Sequence, residues 1–238
     1  PAVDLAGLTD GSVTVTASVS DKAGNPASVD HNLTVDVTVP AVTINTIAGD
    51  DVINVAEHNQ AQIISGSATG AAAGDKVTGT IGGQSYTTVL DAAGNWSVGV
   101  PASVIAGLSD GSVTVTASVT DAAGNTGSGT HNVTVDTGLP SVGFDTLSGD
   151  NVLNAVEKGQ DLNVSGTSAN LAEGTLITVT LNGKQYTATT AANGSWSLTV
   201  PAADLTAMGE ANYTLSATAT SAVGNSVSNT ANLLVDTA

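Results

Sequence analysis

Acidic side chains recur at fixed places along this sequence, and they are the residues best suited to chemistry. Asp36, Asp136 and Asp236 close the runs HNLTVD, HNVTVD and ANLLVD, each 100 residues from the next. Asp21 and Asp121 open DKAGN and DAAGN turns, Asp91 opens another DAAGN turn, and Asp10 and Asp110 precede the glycine of two GSVTVTASV runs. A further cluster lies in GDDVINVAE, with Asp50, Asp51 and Glu57, and returns in GDNVLNAVE with Asp150 and Glu157. Carboxylates at close loop spacing, with backbone carbonyls between them, form the donor set of a hard divalent cation. Calcium accepts about six to eight oxygens in irregular geometry, whereas magnesium demands a near-octahedral site. The GDDVINVAE loop lacks the spacing and central glycine of an EF-hand. It reads equally as a short helical turn capped by Asp50 or Asp150, with the other carboxylates solvated.

Composition narrows the classes. The chain has 21 acidic and 4 basic side chains, a formal charge of −17, which excludes an electrostatic footprint for nucleic acid or an anionic membrane. The acids either neutralise a cation or keep the chain dispersed. There are no cysteines, so each domain rests on its own core and any bound metal. No apolar run approaches the roughly 18 residues that span a bilayer, and residues 1–30 lack a signal-peptide pattern. The expectation is a soluble interior segment with no direct membrane insertion. Aromatics supply only 3% of the residues, which suits thin sandwiches rather than a large buried ligand pocket.

The elements that position these acids follow from the spacing. A period of 100 residues exceeds the helical repeats and fits one complete β-sandwich. The run PAVDLAGLTDGSVTVTASVSDKAGN from Pro1 matches PASVIAGLSDGSVTVTASVTDAAGN from Pro101, so residues 1–36 read as the back portion of a unit. Two complete units follow, at 37–136 and 137–238. An isolated two-stranded portion is marginal, so it is expected to fray, to be completed by another chain or to be ordered by further strands. In the first complete unit the patterning predicts seven strands near 41–46, 61–68, 75–82, 84–90, 95–100, 112–120 and 126–135. SVTVTASVT shows the period, with Val113, Val115, Ala117 and Val119 on one face and Ser and Thr on the other. Trp96, Trp196, Tyr86 and Tyr186 recur in register as expected core or half-core anchors.

Following seven strands back and forth places Asp10 and Asp36 of the leading unit opposite Asp91 and Asp121 of the next. Four carboxylates so close repel unless a cation sits among them. One unit on, Asp110 and Asp136 face Ser221 and Ala191, so that second site lacks two charges and is expected to lean on backbone carbonyls, Asn225 and water. Glu173 stands where the previous unit has Ala73 and restores one charge.

The VDxxxP seams, the GDxVxNxxE loop, GxWSxxVP, the GLSDGSVTVTASVTDAAGN run and the 100-residue period together resemble the tandem bacterial immunoglobulin-like repeats of giant secreted adhesins, the RTX, type I-secreted and biofilm-associated kind. The resemblance covers the whole chain. It implies an all-β fold of tandem seven-stranded immunoglobulin-like β-sandwich domains in a linear rod. It further implies extracellular Ca2+ bound at the seams, neighbouring repeats as partners, a bacterial cell-surface location, and a host-surface or biofilm-matrix ligand bound elsewhere in the parent protein. By position, Asp36 and Asp136 match the family's seam Asp, and Asp21 and Asp121 the Asp of its turn; Ser221 and Ala191 depart from it. The alternative is a recognition module for a glycan or protein, for which Phe144, Met208 and Tyr213 are the distinctive candidates. An enzyme is not expected: His31 and His131 are repeat equivalents, His58 is alone in a loop, and no nucleophile pattern or zinc spacing surrounds them.

Overall fold

The alternating runs form strands where the pattern places them, because one face can be buried and the other hydrated. The computed structural model describes residues 5–238. Strands β1 (Gly11–Ser20) and β2 (Pro26–Val35) form a two-stranded antiparallel sheet. In the first complete repeat, β3 (Ala41–Ile44), β5 (Gln62–Thr69) and β8 (Asn95–Val100) form one sheet. Its partner sheet has the order β4-β10-β9-β6-β7, with β4 at Val52–Ile53, β6 at Lys76–Ile81, β7 at Gln84–Val89, β9 at Gly111–Thr120 and β10 at Thr126–Val135. The second complete repeat repeats this plan: β11 (Ser141–Val142), β13 (Leu162–Ala169) and β16 (Ser195–Val200) pair in one sheet. The other has the order β12-β18-β17-β14-β15, from β12 (Val152–Leu153), β14 (Leu176–Leu181), β15 (Lys184–Thr189), β17 (Ala211–Thr220) and β18 (Ser226–Val235). Both are the two-sheet sandwich that the sequence predicts. Two short elements were not predicted: β4, which pairs in parallel with Thr134 and Val135, and a helical turn at Ala102–Ile105. Each is too short to carry a period of its own.

The described chain divides into two compact units. One takes the residues up to Asp51 with Gln60–Leu108 and Ser112–Val133, and the other takes Val52–Asn59, Ser109–Gly111 and Thr134–Ala238. The segment 52–59 therefore packs with the unit whose bulk lies C-terminal to it. Each sandwich is filled by the inward face of its strands. Val115, Ala117, Val119, Val133 and Val135 are at most 1% exposed, and Leu215, Ala217, Leu233 and Val235 repeat them. The corresponding Val15, Val19 and Leu33 of the β1–β2 pair are 42 to 70% exposed. Near-identical sequence is buried in one place and open in the other, so burial here is set by the opposing sheet and not by strand propensity.

Trp96 and Trp196, each 3% exposed, are core anchors as expected. Each lies over a glycine in the neighbouring strand. A methyl group on Gly66 would stand 2.8 Å from Cζ2 of Trp96 and collide with the Thr43 carbonyl, and Gly166 meets Trp196 and the Gly143 carbonyl in the same way. Only glycine lets strand and indole approach so closely. Gly66→Ala is expected to cost about 1–3 kcal/mol through overpacking, measured by urea unfolding. Gly99→Ala, where an added methyl meets open space, is the control that should leave the midpoint within about 0.5 kcal/mol.

Candidate functional site

The acidic loops are built locally, and their carboxylates are engaged with their own backbone. In the DxAGN turns, Oδ1 of Asp121 accepts the N–H groups of Ala123 and Asn125 at 3.0 and 2.8 Å, while Oδ2 accepts Nδ2 of Asn125 at 3.0 Å. Asp21 does the same with Ala23 and Asn25, and Asp91 takes the N–H groups of Ala93 and Asn95. This is an Asx turn in which the carboxylate closes the loop. Hydrogen bonds to the charged form hold these acids below the usual carboxylate range: those from Asn25 for Asp21, and those from the Asn95 and Ala93 N–H groups for Asp91. At Asp121 burial acts to raise the value, and the bonds from Asn125, Ala123 and Gly124 outweigh it. In the last repeat Oγ of Ser221 accepts the Asn225 N–H, and Asn193 takes over the closing role beside Ala191.

The seam acids act on the chain that follows each last strand. Oδ1 of Asp36 accepts the Thr38 N–H at 3.1 Å and Oδ1 of Asp136 the Gly138 N–H at 2.9 Å. Asp10 holds the Val37 N–H and the Thr38 hydroxyl, and Asp110 holds the N–H and hydroxyl of Thr137 at 2.9 and 2.8 Å. Asp10 is held low chiefly by Thr38, then by the Val37 N–H, and Asp110 by Thr137 and further by the charge of His58. Among the described residues no three acidic or histidine side chains gather as a metal group. The structure thus ties Asp10, Asp36, Asp91 and Asp121 to separate backbone partners rather than to one another.

In the 47–60 loop side-chain oxygens close the loop on its own backbone. Asp51 and Asn151, both at positive φ, accept the N–H of Ile47 and Leu147 respectively, while Asp150 accepts only the Val152 N–H. Asn54 and Glu57 form a capping box. Oδ1 of Asn54 accepts the Ala56 and Glu57 N–H groups, and Glu57 reaches back to the Asn54 N–H at 3.2 Å; Asn154 and Glu157 repeat it at 3.1 Å. The N-x-x-E spacing carries that signal in the sequence. Asp51 also pairs with Nε2 of His131 at 2.6 Å, and its carboxyl is held low by the loop backbone at Ile47 first and His131 second.

Two asparagines bring main-chain segments together. Nδ2 of Asn125 donates to the Asp36 carbonyl at 3.1 Å as well as to Asp121. Asn225, only 3% exposed, does more: Nδ2 donates to the carbonyls of Asp136 and Gly138 at 2.9 and 3.2 Å, and Oδ1 accepts the Val55 N–H at 2.9 Å. Asn225 and these partners lie in one compact unit, and Asn125 with Asp36 and Asp121 in the other. The turn at 221–225 is thereby fastened to the segment 52–59 contributed by the previous repeat of sequence. The residues marked for recognition each make contacts within the last repeat. Phe144 stacks edge-on to Trp196, Met208 is buried, and the Tyr213 hydroxyl bonds Gly209.

Comparison with known proteins agrees with this architecture. The model of the bacterial Ig-like domain family matches residues 38–137 and 146–237. The solved structure of part of a 1.5-MDa bacterial ice-binding adhesin, studied for host cell surface retention, is 35% identical with a TM-score of 0.56, covering 99% of this chain and 78% of that one. A Ca2+-stabilised adhesin with which an Antarctic bacterium binds ice is 38% identical with a TM-score of 0.54, covering 94% of this chain and 57% of that one. No curated protein sequence matches.

The turn carboxylates make stability depend on pH with a definite sign. A group whose folded pKa is depressed adds stability that is present above its unfolded value of about 3.9 and is lost as pH falls through the folded value. Protonation also relieves the self-repulsion of a chain with charge −17, so a single variant isolates the effect better than the whole curve. Asp121→Asn is expected to melt below the parent at pH 7, with the gap closing as pH falls below the unfolded value of about 3.9 and through the depressed folded one, followed by circular dichroism.

Proposed function

Because the chain belongs to the bacterial Ig-like domain family, we propose that it is a stretch of the extracellular stalk of a large bacterial adhesin, a spacer stiffened by calcium that serves cell adhesion or biofilm formation. Its domains are the repeats 37–136 and 137–238, with 1–36 the back portion of another. The observation that carries this reading is the Asn225 clasp, in which one repeat's turn is bonded to backbone of the repeat before it. Similarity to adhesin repeats across nearly the whole chain supports the same role. A spacer needs each repeat to fasten to the next, and it needs no cleft for chemistry.

The donor chemistry near Asn125 is compatible with calcium. The Asp36 carbonyl and Oδ2 of Asp121 converge on one amide, and turning that amide would present Oδ1 of Asn125 beside them. With water these oxygens suit a cation that accepts irregular all-oxygen sets. We assign the main-chain carbonyl of Asp36 and the carboxylate of Asp121 as the groups that hold the ion there. At the equivalent place in the last repeat Ser221 supplies no charge, and Oδ1 of Asn225 is already bonded to Val55. That joint therefore rests on neutral hydrogen bonds.

A calcium titration tests both statements. An ion that binds only the folded state stabilises by RT ln(1 + [L]/Kd), roughly 2.7 kcal/mol at a hundredfold excess over Kd. Calcium is expected to raise the melting temperature of the parent and of Asn225→Ala alike, and to do little for Asp121→Asn. Asn225→Ala is expected to lose about 1–3 kcal/mol with or without calcium, because the Val55 N–H is left unpaired. An unchanged melting curve with calcium and with chelator would remove the metal from this reading.

A further inference from the structure

The hairpin of β1 and β2 and the hairpin that closes the first complete repeat are close copies. GSVTVTASVS stands at β1 and GSVTVTASVT at β9, and His31, Asn32, Thr34 and Val35 of β2 return as His131, Asn132, Thr134 and Val135 of β10. Apart from Leu33 for Val133, their inward faces differ at two places: Ala27 and Val29 stand where β10 has Gly127 and Gly129. Those two glycines lie against the first strand of their repeat. A Cβ on Gly127 would collide with the Pro40 carbonyl, whose carbon would be 2.7 Å away, and one on Gly129 with the Val42 carbonyl, whose carbon would be 3.1 Å away. The obstacles are main-chain atoms at β3, which is held by four-residue pairing with β5, so they do not move aside as the end of a flexible side chain would. In the last repeat the same positions hold Val227 and Asn229, and β11 is two residues long where β3 has four. Val227 packs against the core there, and Nδ2 of Asn229 donates to the Val142 carbonyl at 2.8 Å. Side chains thus fill the place where backbone meets backbone in the repeat before.

A hairpin so like its neighbour competes for the same seat. Val15, Val19, Val29 and Leu33 present an apolar face that is 42 to 70% exposed, and burying it is favourable on any set of strands that accepts it. Within one chain the seat is out of reach. Pro40 lies beside position 127 and the strand ends at 135, so a β2 seated there would end about 26 Å from Pro40. The five peptide steps from Val35 to Pro40 reach at most about 18 Å. A second copy has no such tether, and exchange of like elements between copies is a characteristic failure of repeat proteins.

We propose that Gly127 and Gly129 are an identity lock on the first complete repeat: they admit its own closing hairpin against β3, while Ala27 and Val29 bar the β1–β2 hairpin of a second copy from that seat. The lock goes beyond the spacer role and does not depend on calcium. The chain has no cysteine, so introduced thiols report exchange. Ser118 pairs with Thr78 across β9 and β6, and Ser18 is the equivalent of Ser118. Copies with Ser18→Cys and copies with Thr78→Cys are unfolded together in urea, refolded and oxidised. The chains are kept at about 0.1 mM, against an effective concentration on the order of 1 mM for the tethered hairpin. Adding Ala27→Gly and Val29→Gly to the first copy is expected to raise the 18–78 interchain disulfide about tenfold. A yield no higher than without those two changes would overturn the proposal. A second arm does not involve β2. Gly127→Ala/Gly129→Val in the 238-residue chain is expected to leave β3 and β5 unprotected in hydrogen exchange read by mass spectrometry. Val227→Ala/Asn229→Val, which installs the same pair in the last repeat, is expected to leave β13 protected. A Gly127→Ala/Gly129→Val variant that stays protected would overturn the lock, and so would equal loss of protection in both repeats, since the two positions would then not tell them apart.

Discussion

The structure depends on one recurrent interaction: a side-chain oxygen that accepts the N–H groups of its own turn. Asp21, Asp91 and Asp121 do this with a carboxylate, Ser221 with a hydroxyl, Asn54 and Asn154 with an amide. Such bonds matter more here than in most sandwiches. The core is made of Val, Ile, Leu and Ala around one tryptophan per complete repeat, there is no disulfide, and the loops between strands expose their backbone. A buried or half-buried N–H without a partner costs on the order of 1–3 kcal/mol, so a loop without these oxygens would not hold one shape. Where strands are joined by such turns, the turn geometry helps set the register that buries the valine face.

Much of the fold was legible because it repeats and because its signals are long. The 100-residue period, the ten-residue alternation of β9 and the tryptophans each give information over many positions, and the seven main strands of the first complete repeat lie within two residues of where the pattern puts them. What was not legible rests on single contacts. The parallel pairing of Val52 and Ile53 with the end of β10 involves two residues, and nothing local distinguishes it from loop. In the 47–60 loop it is Asp51, at positive φ, that points back at Ile47, which nothing in the local pattern of Asp50 and Asp51 foretells. Acid clusters in sequence suggested carboxylates facing one another, whereas the loops turn them towards their own N–H groups. Sequence shows which residues are near one another along the chain and says little about where a side chain points.

The two complete repeats share a frame and differ in local chemistry, which shows what the fold tolerates. Val115 becomes Leu215, Val133 becomes Leu233, and the core stays closed. At the loops the exchanges are not conservative: Asp121 becomes Ser221, and the Asp51–His131 pair becomes Asn151 and Ala231. The turns survive because their closure needs an acceptor oxygen and not a charge. Ser221 keeps one bond of the several that Asp121 makes, and Asn151 keeps the bond to its loop backbone while losing the ion pair. Freed from that requirement, charge at these positions can vary from repeat to repeat without altering the strands.

This separation of closure from charge bears on how a joint could be made stiff. A carboxylate already held by two backbone N–H groups is ordered before any ion arrives, so less side-chain entropy remains to be lost on binding. Those same bonds lower its proton affinity and keep it ionised, which suits a cation ligand. A buried amide such as Asn225 works differently. It satisfies two carbonyls and one N–H at once, carries no charge to be screened by salt, and holds in any ionic medium. A chain that alternates the two devices from one repeat to the next would have joints that respond to cations beside joints that do not, with the same sandwich on either side of each.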